Sequence, residues 1–152
     1  MKINRLICLP KIRIKSIVHK NDKIMIFASV KSKRSQCPIC GLYSTTVHDH
    51  YNRKLSDLPA FQNTTTLVLK TRIFKCKNQK CNRKVFSEQT SHINRYSRKT
   101  LRSSQLFDSL SIELTGKLGS TLSKQLFLPV STSTITRIAH KQQLPEIKQP
   151  VV

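Results

Sequence analysis

The chain has 152 residues, of which 28 are Lys or Arg and 7 are Asp or Glu, for a formal net charge of +21. Its hydrophobic share is 38%, below the roughly 45–50% of an ordinary globular domain, so a single large core is excluded and small units need something besides burial to hold them. The longest apolar run, residues 24–28, is far too short to span a bilayer, and the N-terminus MKINRLICLPKIRIK has no apolar signal core; the expectation is a cytoplasmic chain with no membrane partner.

Residues 11–30 predict a β-hairpin. Ile12, Ile14 and Val18 precede the polar Lys20-Asn21-Asp22-Lys23, and Ile24, Ile26, Ala28 and Val30 alternate after it. Asn and Asp tolerate the left-handed backbone of a tight turn. Cys37-Pro38-Ile39-Cys40-Gly41 comes next, then short strands over 46–51 and 64–75. Between those strands, Ser56-Asp57-Leu58-Pro59 reads as a turn, with Asp57 as its turn-making residue. Cys76-Lys77-Asn78-Gln79-Lys80-Cys81 leads into a last strand over 83–86.

From about residue 91 the texture changes. A polar, basic connector over 91–102 carries Arg95, Arg98, Lys99 and Arg102. Leu106, Leu110, Leu114 and Leu118 then recur every four residues, which predicts a helix. Gly116 or Gly119 ends that helix or starts the next. A second helix is expected over 120–127, with Leu122 and Leu126 inward, and Pro129 prevents its continuation. Ser131 is a good N-cap for a third helix reaching about residue 141, with Ile135, Ile138 and Ala139 on one face. Residues 142–152 read as a linker or frayed tail. The expected class is therefore α+β. A small β-rich four-cysteine zinc-binding domain (1–90) is followed by the connector (91–102) and a three-helix helix-turn-helix segment (103–141).

Two close cysteine pairs separated by a longer insert are the pattern of a tetrahedral zinc site. Cys37, Cys40, Cys76 and Cys81 are the expected ligands of one structural zinc per chain. Gly41 suits the first turn because it takes positive φ without a Cβ clash. Lys75, Lys77 and Lys80 would offset the net −2 charge of a four-thiolate zinc site. A redox dithiol at Cys37 and Cys40 would leave the second pair unexplained, and a closed shell of four thiolates leaves no open position for catalysis. Cys8 reads as a buried thiol. His48 and His50 read as ordinary strand or turn residues, and His19, His92 and His140 are isolated.

The charge is uneven. From residue 58 to 107 there are eleven Lys or Arg and one acid, Glu88. Such a field suits a polyanion, whose phosphates release counterions on binding. A short helix, a brief break and a second short helix is the helix-turn-helix plan. Here the reader would start at Ser131 and present Ser133, Thr134, Thr136 and Arg137. Hydroxyls near a helix N-terminus suit phosphates or base edges, and Arg suits guanine. Arg95, Arg98, Lys99 and Arg102 would lie beside the same DNA. A plain three-helix bundle with a polar outer face remains the other reading of these helices.

The order of CPICG, VHDHYNRKLSDLP, FKCKNQKCNRKVFSE, RYSRKT and LFLPVSTSTITRI resembles the N-terminal part of the ISL-three-type insertion-sequence transposases. The resemblance implies a four-cysteine zinc domain, a helix-turn-helix that reads insertion-sequence terminal repeats, and a later DDE catalytic domain. That family usually has Gly where Pro129 stands. After Glu113 only Glu146 is acidic, so a carboxylate triad for two metal ions is not expected here. The expectation is a truncated, non-enzymatic DNA-binding portion with no small-molecule substrate, associated with the prokaryotic nucleoid. Its partners would be double-stranded DNA and a second copy or a full-length transposase. An RNA-binding zinc protein, or a stand-alone zinc-containing DNA-binding regulator, is the alternative.

Overall fold

In the computed structural model, which describes residues 9–114 and 116–142, the hairpin turn predicted from Asn21 and Asp22 forms with both residues left-handed, at φ 48° and 55°. It joins β1 (Ile12–Lys20) to β2 (Lys23–Val30). Cys8 and residues 143–152 of the expected tail lie outside the described residues. The chain divides into two compact units, Met1–Ser103 and Ser104–Val152.

The first unit is built on a sheet of five strands. β3 (Ser35–Gln36) and β4 (Tyr43–Ser44) form a separate small pair, and β5 (Val47–Ala60), β6 (Asn63–Lys75) and β7 (Val85–Ser87) complete the element list. The sheet order is β1-β2-β6-β5, with β7 also paired to β6. β2 runs parallel to β6, and the other pairings are antiparallel. The alternating residues Ile12, Ile26, Ala28, Leu55, Leu67 and Leu69 form its core, with Leu9 and Ile93 against them.

This architecture corrects the expected α+β class with a small zinc domain. Strand accounts for 41% and helix for 23% of the described residues, and three short helices follow a large sheet. The physical reason lies in β5 and β6, of 14 and 13 residues. Residues 56–59 were expected to turn, yet they continue β5. Ser56 pairs with Thr66 and Asp57 with Thr65, and a register irregularity before Ala60 absorbs Pro59, which has no N–H to give a ladder. The reversal falls instead at Phe61 and Gln62, both left-handed at φ 50° and 58°. Long-range pairing has overridden local turn chemistry.

Asp57 is fully buried and joins the segment after β7 to the sheet. Arg102 donates from Nε to its Oδ1 at 2.7 Å and from Nη2 to its Oδ2 at 2.5 Å, and the Thr100 hydroxyl donates to Oδ1 at 2.7 Å. Thr100 Oγ1 in turn accepts from Ser103 N–H, capping helix α1 (Leu101–Glu113). Backbone bonds from Ser56 N–H to Arg98 O and from Thr100 N–H to Ser56 O dock the same segment along β5.

The second unit contains the rest of α1, then α2 (Gly116–Gln125) and α3 (Thr132–Ala139). Phe107, Leu128 and Ile135 are its buried centre, flanked by Leu106, Leu110, Val130 and Ile138. Gly116, one of the two glycines expected to end the first helix or start the next, opens α2, earlier than the expected residue 120. Leu118 therefore lies in α2, 60% exposed, and not on the leucine stripe of α1. The inward face of α2 is made of small residues, Gly119, Ser120 and Ser123. A Cβ at Gly116 would stand 2.5 Å from Thr136 Oγ1, and one at Gly119 would stand 3.1 Å from Ile135 Cγ2. These two glycines therefore let α3 approach α2 closely.

α2 ends before the expected residue 127. Phe127 N–H bonds to Lys124 O and Leu128 N–H to Ser123 O, while Phe127 is left-handed at φ 54°. This is the Schellman closure, with the apolar residue after the left-handed one, Leu128, buried. Pro129 stands just beyond it, where a helix cannot continue anyway. The positive φ of this turn falls on Phe127, so a proline at 129 is compatible with it.

Candidate metal centre and DNA-contact residues

Two turns carry the four cysteines. In the first, Gly41 N–H bonds to Cys37 O at 3.0 Å and Cys37 N–H to Leu42 O at 2.9 Å, with Gly41 at φ 73°. The β3–β4 pair closes around it. The second turn leaves the end of β6. Cys76 N–H bonds to Lys84 O at 2.8 Å, Cys81 N–H to Asn78 O at 3.1 Å, and Lys80 N–H to Asn78 Oδ1 at 2.9 Å. The pairing of Phe74 with Phe86 then returns the chain to the sheet. Both rings are buried, with centroids 6.0 Å apart, and they share a cluster with Cys37 and Cys81.

The four Sγ atoms all lie within 4.8 Å of one another. Cys37 and Cys81 are separated by 4.0 Å and Cys40 and Cys76 by 3.6 Å. A Zn–S bond of about 2.3 Å in a tetrahedron demands S–S edges of about 3.8 Å. The donor set, its spacing and its free thiols therefore fit a structural zinc ion with a closed shell. His48 and His50 are exposed residues of β5, and neither belongs to the cluster.

The thiols are held unevenly. The backbone N–H of Cys40 favours the thiolate of Cys37 and lowers its pKa to about 7. At Cys76 the N–H of Asn78 also favours the thiolate, but burial and the hydrogen bonds of neighbouring thiols push the pKa up to about 12. Four adjacent sulfurs cannot all ionise without a cation. Zinc supplies the opposite charge and displaces the protons, so acidification opposes binding.

The other predicted residues fall into three groups. Arg102 is engaged by the buried Asp57. Arg95 and Arg98 are exposed on the segment docked along β5, and Lys99 is half-buried there. On α3, the Ser131 hydroxyl caps Thr134 N–H at 3.3 Å. Ser133 and Arg137 are exposed, and Thr134 is half-buried. Thr136 is exposed and donates to Thr132 O at 3.1 Å. Ile135 of the same helix is fully buried.

Sequence reasoning passed over the two buried acids. Asp57 looked like a turn residue. Glu88 accepts from Arg72 Nη2 at 2.6 Å and from Arg72 N–H at 2.8 Å, fastening β6 to the chain after β7. Its signal was available: a single acid among eleven bases is placed to neutralise one of them.

No helix among the described residues is long and apolar enough to cross a membrane. No curated protein and no solved structure matches the chain. Residues 33–81, which run from before the first cysteine turn to the last ligand, match the family model of the zinc-finger of transposase IS204/IS1001/IS1096/IS1165. This segment is thus similar to the zinc finger of those transposases, and it contains all four residues of the cluster, Cys37, Cys40, Cys76 and Cys81, whose spacing fits a zinc ion.

Proposed function

We propose that this chain is the DNA-binding portion of a transposase, recognising the terminal repeats of an insertion sequence without a catalytic role for these residues. The observation that carries the reading is the transposase zinc-finger match on a four-cysteine cluster of zinc geometry. The net charge of +21 supports a polyanionic partner. For α2 and α3 the reading is a helix-turn-helix, with α3 in the major groove. It is supported by the close crossing at Gly116 and Gly119, the Ser131 cap, and exposed Ser133, Thr136 and Arg137 over buried Ile135. A second copy or a full-length transposase bound at the same ends is the protein partner this function calls for, on the nucleoid of a prokaryotic-type cell.

The test is binding of the zinc-loaded chain to a duplex carrying a terminal inverted repeat and to a scrambled duplex, across a salt series. The repeat should bind more tightly, and affinity should fall steeply with salt. Arg137→Ala should leave the melting temperature unchanged and reduce the preference by about 1–3 kcal/mol. Equal affinity for both duplexes removes the recognition reading.

A further inference from the structure

The first unit holds a cleft of about 340 Å³, lined by its own residues. Arg53, Lys54, Arg83, Arg95 and Arg98 line it, and no acidic side chain does so among the described residues. The zinc turn and β7 supply one wall and the edge strand β5 another. The third is the turn Asn94-Arg95-Tyr96-Ser97, closed by Ser97 N–H to Asn94 O at 3.1 Å. Arg53 fixes that turn by donating to Ser97 O at 2.8 Å and Asn94 O at 3.3 Å.

Tyr96 occupies the third position of this turn at φ 62°. Only glycine takes that conformation without steric cost, and asparagine is the usual substitute. The bulky residue placed there is 84% exposed, with the Arg95 guanidinium 5.0 Å from its ring centroid. A strained backbone that exposes a large ring to solvent brings the fold no burial. Strain of this kind points to function. A flat ring set among five cations matches the chemistry of an unpaired nucleotide. The base stacks on the aromatic face and the flanking phosphates meet the guanidinium groups.

We propose that this cleft binds unpaired DNA, such as a single strand or a frayed duplex end, with Tyr96 as the stacking platform and Arg83, Arg95 and Arg98 as phosphate contacts. Arg53 is a positioning residue. The choice of DNA over RNA rests on the transposase reading above. The cleft itself does not depend on α3.

The experiment is fluorescence anisotropy of the zinc-loaded full chain with a labelled single-stranded DNA oligonucleotide, the blunt duplex of the same sequence, and the matching RNA. Tyr96→Ala should weaken single-strand binding about tenfold and leave the blunt duplex unchanged, while Tyr96→Phe retains it. Tyr96→Gly should lose single-strand binding and yet raise the melting temperature, because glycine relieves the turn. Wild-type single-strand affinity in the Ala and Gly variants, or parallel loss on both DNA forms, overturns the proposal. Tighter Tyr96-dependent binding to RNA overturns the assignment to DNA. Absence of duplex binding with the Tyr96 effect intact would instead remove the duplex-recognition reading and leave the cleft standing.

Discussion

The two units of this chain solve the same shortage of apolar residues differently. The first holds its sheet with long strand pairing, two buried carboxylate–arginine pairs and a four-thiolate metal site. The second has neither a metal cluster nor an ion pair among its described residues. It relies on a small centre of Phe107, Leu128 and Ile135 and on two glycines that bring helices together. Polar chemistry thus does in the first unit what backbone proximity does in the second. The difference predicts that the units answer to different perturbations.

The largest effect should come from the metal. Structural zinc contributes on the order of 10 kcal/mol or more to small units of this kind. Cys37→Ser should abolish zinc retention. Hydrogen exchange should then show lost protection in β3, β4 and β7 and at the end of β6, while the helices of the second unit keep theirs. Helices that melt together with the zinc turns would erase the distinction between the units.

Next is the buried carboxylate. Asp57→Asn removes the charge of the buried carboxylate that accepts from Arg102 and Thr100, and weakening such buried hydrogen bonds costs about 1–3 kcal/mol. Urea unfolding should report that loss with the zinc content unchanged. A neutral outcome would mean that the α1 cap at Thr100 holds without its acid.

The last of the three falls on the second unit. Gly116→Ala places a Cβ against Thr136 Oγ1 and Thr132 Cγ2. Overpacking of this kind costs about 1–3 kcal/mol, read as a lower melting temperature of the helical signal. Zinc binding should not change. An unaffected helical transition would contradict the close crossing of α2 and α3.

Local chemistry made several features readable from the residues. Asn21-Asp22 forms its turn because both tolerate positive φ, Gly41 closes the first cysteine turn for the same reason, and Ser131 caps α3 through its own hydroxyl. The four ligands were legible because metal spacing is itself a local pattern. Features set by distant partners were not. Pro59 and Asp57 look like a turn until β6 pairs alongside them, and that pairing turned an expected small zinc domain into a large sheet. Gly116 was legible as a break between helices, but not the contact with α3 that requires a glycine there. Tyr96 drew no notice, since nothing in RYSRKT marks its backbone as left-handed.

The central claim is that one zinc ion, bound by Cys37, Cys40, Cys76 and Cys81, holds the end of the sheet. Metal analysis of the purified folded chain, paired with alkylation of its thiols under native conditions, tests it most directly. The account predicts one zinc per chain and four cysteines protected until a chelator is added. A folded, metal-free chain whose four thiols alkylate freely would contradict it.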